Sequence, residues 1–205
     1  MPTSKQASRR RENTRARLVE ASFGVFVEQG LKRVTVDDLV GAAGYTRGAF
    51  YSNFSSIEEV FFEVFRLRSE SMLAAASAAM DAVPEADFTL ESIGSLLDAV
   101  RAQGRGWYIL HAEFTLLALR DERARTVLAD FAGRFRVRLV EVIGEVLRRL
   151  RRIPDLPIEQ LAEIVAALHL HALGQGLVGS AVLGTEGIDT AMASALVLGF
   201  SHPEE

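Results

Sequence analysis

Apolar and polar positions along this chain follow the period of helices, broken early by short punctuated segments and running later in long stretches. From about Asn13 to Gln29, Leu18, Ser22, Val25 and Gln29 lie along one helical row with Val19, Phe23 and Phe26 beside it. Gly30 stands where a left-handed residue would close that helix. Thr35 then precedes "VDDL", so its hydroxyl is placed to accept from the amide of Asp38, with Asp37 and Asp38 in a first turn where the helix dipole favours anions. This short helix is expected to end near Gly44. After a turn of only Gly44 and Tyr45, Thr46 is placed to cap "RGAFYSNF". Two short helices joined by a tight glycine turn make a helix-turn-helix, whose second helix can present its first residues to base edges. "SSIEE" follows with two overlapping capping-box patterns, Ser55 with Glu58 and Ser56 with Glu59. A new helix is therefore predicted at once, and its first amides are a candidate phosphate cradle.

Beyond that point the pattern predicts long helices: Ile57 to about Ala82, Thr89 to Ala102, Gly106 to Leu119, Glu122 to Arg151, Ile158 to about Leu183, and Ile188 to Leu198. Pro84, Pro154 and Pro157 mark the loops, and no internal repeat or low-complexity tract is present. The fold class expected is all-α: a three-helix head at residues 1–60 joined to a larger helical domain at 61–205.

Composition narrows the function classes. With 49% hydrophobic and 24% charged residues and five prolines in 205 residues, the chain reads as globular. It has no cysteine, which removes disulfides, thiolate metal sites and cysteine nucleophiles and makes a reducing, cytoplasmic compartment the simplest expectation. "MPTSKQASRRRENTRAR" is basic without an apolar run behind it, and is read as a flexible arm rather than a signal peptide. Through Ser56 there are nine Lys/Arg against five acids, +4; the net charge of −4 leaves −8 on the remainder. A basic front on an acidic body suits a polyanionic partner for the front alone. The second cluster, Arg148 to Arg152, is better read as cations complementing a helix C-terminus than as another nucleic-acid site.

Candidate chemistry in the body is binding, not catalysis. Trp107, His111 and Phe114 share a face of one predicted helix and Phe131 and Phe135 a face of the next, with Tyr108, Met72 and Phe88 as additional wall. Aromatic stripes at this spacing are commonly core, but the polar tips of Trp107, Tyr108 and His111 suit a largely apolar ligand with one polar handle. Ile164 to Thr185 carries no charge, yet His169, His171, Gln175 and its glycines argue against a bilayer span. Ala172, Gly176, Ser180 and Gly184 recur every four residues and predict a close helix–helix approach, read here as a homodimer interface with "IDTAMASALVLGF" as its neighbour. His169 and His171 point some 200° apart on a helix and cannot share a metal from one face. No catalytic set is recognisable, so neither enzyme activity, cofactor nor metal is expected.

Thr14 to Phe65 resembles the amino-terminal domain of the tetracycline-repressor (TetR) family, with Gly30, Thr35, Leu39, Ala43, Gly44, Thr46, Tyr51, Phe54 and Glu58 in register. The resemblance implies palindromic operator DNA bound by a homodimer, a carboxy-terminal domain that senses a small molecule, and a dimer bundle formed by the last two helices. It implies Arg47, Gly48 and Ser52 as base-edge candidates and Thr35, Thr46, Tyr51 and Asn53 as backbone-positioning ones. Two departures stand out. Tyr45 replaces the usual small aliphatic in the turn, where it could pack under the helix or reach a phosphate. Ile57 replaces a common lysine, leaving the Ser56 hydroxyl and helix amides for phosphate. The expected function is a ligand-responsive regulator, foremost a repressor, with an activator of the same build or a ligand-binding dimer without operator binding as alternatives.

Overall fold

The computed structural model describes residues 4–179 and 190–204. Among the described residues are α1 (Ser4–Gln29), α2 (Val36–Ala43), α3 (Arg47–Tyr51), α4 (Ile57–Asp81), α5 (Ser92–Ala118), α6 (Glu122–Arg149), α7 (Ile158–Val178) and α8 (Thr190–Gly199). A 3-10 turn, Glu85–Asp87, precedes α5. The helical fold class expected from the pattern is found. Two short strands add to it: β1 (Arg152–Pro154) pairs antiparallel with β2 (Ser201–Pro203), Ile153 opposite His202. No hydrophobic alternation signals strands this short.

Three boundaries differ from the pattern. The amino-terminal segment, expected as a flexible arm, is helical from Ser4. The reason is local: Lys, Gln, Ala, Arg and Glu dominate this stretch and all propagate a helix well. The two helices expected on either side of Gly104 and Gly106 are one, α5. Gly104 is buried, and a Cβ there would meet the Leu173 side chain at 3.1 Å. Its small size accommodates α7 rather than breaking α5. Finally, α7 stops at Val178, where Gly179 takes φ 70° and its amide donates to the Gly176 carbonyl.

The chain divides into two compact units, residues 1–67 with 109–127 and residues 68–108 with 128–205. Helices α4, α5 and α6 each contribute to both, so the head is larger than the first sixty residues. The first unit is centred on aromatic rings. Phe61 meets Phe26 edge-on at 5.2 Å and Phe114 at 5.6 Å, Phe114 meets Phe65 at 5.1 Å and stacks on Phe62 at 4.8 Å, and Leu18, Leu39, Phe50 and Leu110 are fully buried with them. In the second unit a core of Met80, Phe88, Ile93, Leu96, Val146 and Ala193 is flanked by Leu168 and Ala172.

Candidate nucleic-acid interface

The helix-turn-helix is set by three local devices. At the start of α2, Thr35 Oγ1 accepts from the Asp38 amide while the Asp38 carboxylate accepts from the Thr35 amide and hydroxyl at 2.8 and 2.6 Å. Those bonds hold the Asp38 carboxyl below its ordinary range, the Thr35 hydroxyl contributing most. At its end, Gly44 takes φ 71° and the Tyr45 amide closes on the Val40 carbonyl at 2.9 Å. A residue with a Cβ is strained in that left-handed conformation, so the sharp turn into α3 depends on glycine. Thr46 then accepts from the Ala49 amide and starts α3.

The turn leaves one edge of α3 in solvent. Thr46, Arg47, Gly48, Tyr51 and Ser52 are exposed, and Phe50 is buried beneath them. The Arg47 side chain is 63% exposed, with Nε 3.0 Å from Asp37 Oδ1. A Cβ at Gly48 would meet only Thr46 Oγ1, at 3.8 Å, so nothing inside the head requires glycine there. Tyr45 is half-buried, and Ser56 accepts from the Glu59 amide as the cap of α4. Of the two overlapping capping patterns, the Ser56–Glu59 pair forms that bond, and Glu59 reaches further back to the Ser55 amide and hydroxyl, both at 2.8 Å.

Asn53 corrects the expectation for it. It is buried, and its Nδ2 donates to the Ala49 carbonyl at 2.7 Å, closing the end of α3. Its backbone carbonyl accepts from Arg15 Nη1 at 2.7 Å. Arg15, counted in the sequence only as basic charge, ties the head together: it bonds Glu59 at 3.0 Å and Glu63 at 3.1 Å, and its guanidinium lies 4.1 Å from the Phe54 ring centre. Burial alone would raise the Glu59 and Glu63 carboxyls. Hydrogen bonds from Ser55 and Arg15 to Glu59, and from Arg66 and Arg15 to Glu63, outweigh it and hold both below the ordinary range. A sequence-level sign exists, since an arginine facing the "SSIEE" segment needs a carboxylate, but its partners lie 38 to 48 residues away.

The expected ligand wall is divided between the units. His111, near Phe65 at 6.3 Å, and Phe114 belong to the first unit, Phe114 as part of its aromatic centre. Burial pushes the His111 pKa down. In the second unit, Trp107 is buried, donates from Nε1 to Ser69 Oγ at 2.7 Å and stacks near Phe135, with Phe131 5.7 Å from Phe135. Ser69 was not anticipated; it is a buried serine of α4 that stands between Arg68 and Glu70 in the sequence. Tyr108 lies directly against Gly174.

Two of the four residues of the small-residue stripe are described. Ala172 packs against the second unit's own core, Gly176 is half-buried, and Ser180 and Gly184 lie outside the described residues. The exposed face of α7 instead carries Glu163, Ala167, His171 and Leu177, and that of α8 carries Ala191, Ala195 and Leu198. Three of the four arginines from Arg148 to Arg152 have partners within the chain. Arg148 bonds Glu145 and Glu85, Arg149 donates to the Met80 and Val83 carbonyls, and Arg152 bonds Ser201. Glu145 is drawn down to about 2 by its bonds to Arg148 and Arg149. Among the described residues no group of His, Asp or Glu is arranged to hold a metal, and no helix is long and apolar enough to cross a membrane.

The chain thus joins a helix-turn-helix, with one edge of α3 in solvent, to a helical unit with its own core. Residues 18–64 match the family model described as bacterial regulatory proteins, tetR family. That match covers the helix-turn-helix head of the chain. It is 39% identical over 61 residues to the HTH-type transcriptional regulator SrpR of Pseudomonas putida, a match covering 30% of this chain and 29% of that one. It is 26% identical over 187 residues to the probable HTH-type transcriptional regulator ArpR of the same species, covering 87% and 84%. Its fold is similar to that of a putative transcriptional regulator from Saccharomonospora viridis, solved in complex with choline, with a TM-score of 0.64, 16% identity and coverage of 92% and 95%.

Proposed function

We propose that the chain is a ligand-responsive repressor that binds palindromic operator DNA as a homodimer and releases it when a small, largely apolar effector binds. The observation that carries the DNA-binding part is the edge of α3: Arg47, Gly48, Tyr51 and Ser52 in solvent, with a glycine that internal packing does not demand. A bare backbone next to an exposed guanidinium suits close approach to a major groove, where arginine pairs with the two acceptors of guanine. Thr35, Thr46 and the Ser56 end of α4 are suited to hold phosphates on either side.

Homodimer formation through α7 and α8 is supported by their exposed small and apolar residues, Ala167, Leu177, Ala191, Ala195 and Leu198. Two recognition helices presented about one DNA turn apart, roughly 34–36 Å, would meet successive major grooves. The effector site proposed is in the second unit at Trp107, Phe131 and Phe135, with the Ser69 hydroxyl as a polar neighbour, a reading supported by the complex with choline of the Saccharomonospora viridis protein of similar fold. The effector's leverage equals its differential affinity for the DNA-competent and incompetent states. The test is binding-site selection from a random duplex pool with the purified full chain. An enriched palindrome supports the reading, and no enrichment at any salt concentration overturns it.

A further inference from the structure

We infer that Asp37 is a positioning residue for base reading: its carboxylate holds the Arg47 guanidinium by Nε, so that the two terminal amino groups are presented together, and it lowers affinity for DNA of every other sequence. The inference rests on the DNA-binding reading above and adds a residue to it. Two adjacent aspartates open α2, and the structure gives them different tasks. The Asp38 carboxylate is taken by the Thr35 amide and hydroxyl. It closes the capping box and is held by its own helix end. Asp37, one residue earlier, lies in solvent and reaches instead to α3, where Oδ1 sits 3.0 Å from Arg47 Nε. Both side chains are about two-thirds exposed, at 66% and 63%, so this pair adds little to the stability of the head. Its consequence is orientation.

An arginine side chain has four rotatable bonds, and an unheld guanidinium must be ordered when it meets a base. With the Asp37 carboxylate 3.0 Å from Nε, the guanidinium is ion-paired on its Nε side, and the edge formed by its two terminal nitrogens is the one left for a base. Those nitrogens are the pair that bonds O6 and N7 of guanine. A carboxylate at the same spot also repels phosphate on any duplex, and only a site where Arg47 gains its two base bonds offsets that repulsion. Asp37 therefore raises the ratio of specific to non-specific binding while lowering total affinity.

The experiment is binding-site selection with full-length wild type, Asp37→Asn, Asp37→Glu, Arg47→Ala and the Asp37→Asn/Arg47→Ala double variant, together with affinity for a fixed random-sequence duplex over a salt series. Asp37→Asn is expected to bind the random duplex several-fold more tightly, to lose most of its preference at the one base position that Arg47→Ala also relaxes, and to melt within a few degrees of wild type, since only a first-turn charge is lost from α2. Asp37→Glu, which keeps the carboxylate, is expected to restore much of that preference. In the Arg47→Ala background, Asp37→Asn should change random-duplex affinity alone. Wild-type preference retained by Asp37→Asn at a position that Arg47→Ala relaxes would overturn the inference while leaving DNA reading by Arg47 intact. A wild-type chain that enriches no site would overturn the DNA-binding reading and this inference with it.

Discussion

Replacing Arg15 by alanine should loosen the head without touching the exposed edge of α3. The side chain bonds the Asn53 carbonyl at 2.7 Å, Glu59 at 3.0 Å and Glu63 at 3.1 Å, and covers the Phe54 ring. Removing it leaves two carboxylates without that cation and a buried carbonyl without its donor. A buried hydrogen-bonded charge is worth about 1.5–3 kcal/mol per bond, and an exposed pair about 0–1. The Arg15, Glu59 and Glu63 side chains are each about one-third exposed, so the three bonds fall between those limits. The net loss expected is about 2–3 kcal/mol, with ring contact adding under about 1 kcal/mol. Urea unfolding followed by far-UV circular dichroism, with hydrogen exchange of the α3 and α4 amides, locates the loss.

The pH dependence of that loss follows from the same bonds. Glu59 and Glu63 have folded pKa values below their ordinary ones, so they contribute stability that is present above about pH 4.5 and lost as pH falls through the lowered values. Without Arg15 both carboxyls move back up, and the acid limb of stability flattens. Because Arg15 is engaged inside the head, the slope of log DNA affinity against log salt should stay within the change of about 0.9 expected for one phosphate contact. A loss under about 0.5 kcal/mol with an unchanged acid limb, or a clear drop in salt slope with stability intact, would refute this account and return Arg15 to the DNA surface.

Arg47→Ala should weaken operator binding by about 1–3 kcal/mol per half-site and relax preference at one base position, read by binding-site selection. Gly174→Ala places a Cβ 2.4 Å from the Tyr108 hydroxyl, so the second unit should lose about 1–3 kcal/mol, followed through the fluorescence of Trp107, the chain's single tryptophan. Gly44→Ala forces alanine into φ 71° and should destabilise the head by about 1 kcal/mol or more in urea titration, with no steric clash to blame since a Cβ there meets open space. Leu198→Glu introduces a charge on the exposed face of α8; sedimentation at micromolar concentration should show a dimer for wild type and a shift toward monomer for the variant, and a monomeric wild type would remove α8 from the interface.

The head was legible because its signals are local. Thr35 with Asp38, Gly30, Gly44 and Thr46 act on residues within four positions of themselves, and the structure puts each where spacing placed it. The helical character of the body was legible for the same reason. What tertiary structure decided is which neighbour each face meets. Gly104 reads as a break in sequence, yet α5 runs straight through it because Leu173 needs the space. Phe114 shares a stripe with Trp107 but joins a different unit, since two turns of rise along one helix, about 10 Å, carry a side chain on the same face from one core to the other. Ala172, the first residue of the small-residue stripe, packs against the core of its own unit, since a small residue suits any close helix, including one from its own chain. Asn53 and Arg15 read as surface polar groups until partners from α1, α3 and α4 surround them. Sequence determines the period and the caps, which are properties of a few consecutive residues. The partners of a glycine, an aromatic or a charge are set by segments dozens of residues away, and only the folded chain brings them together.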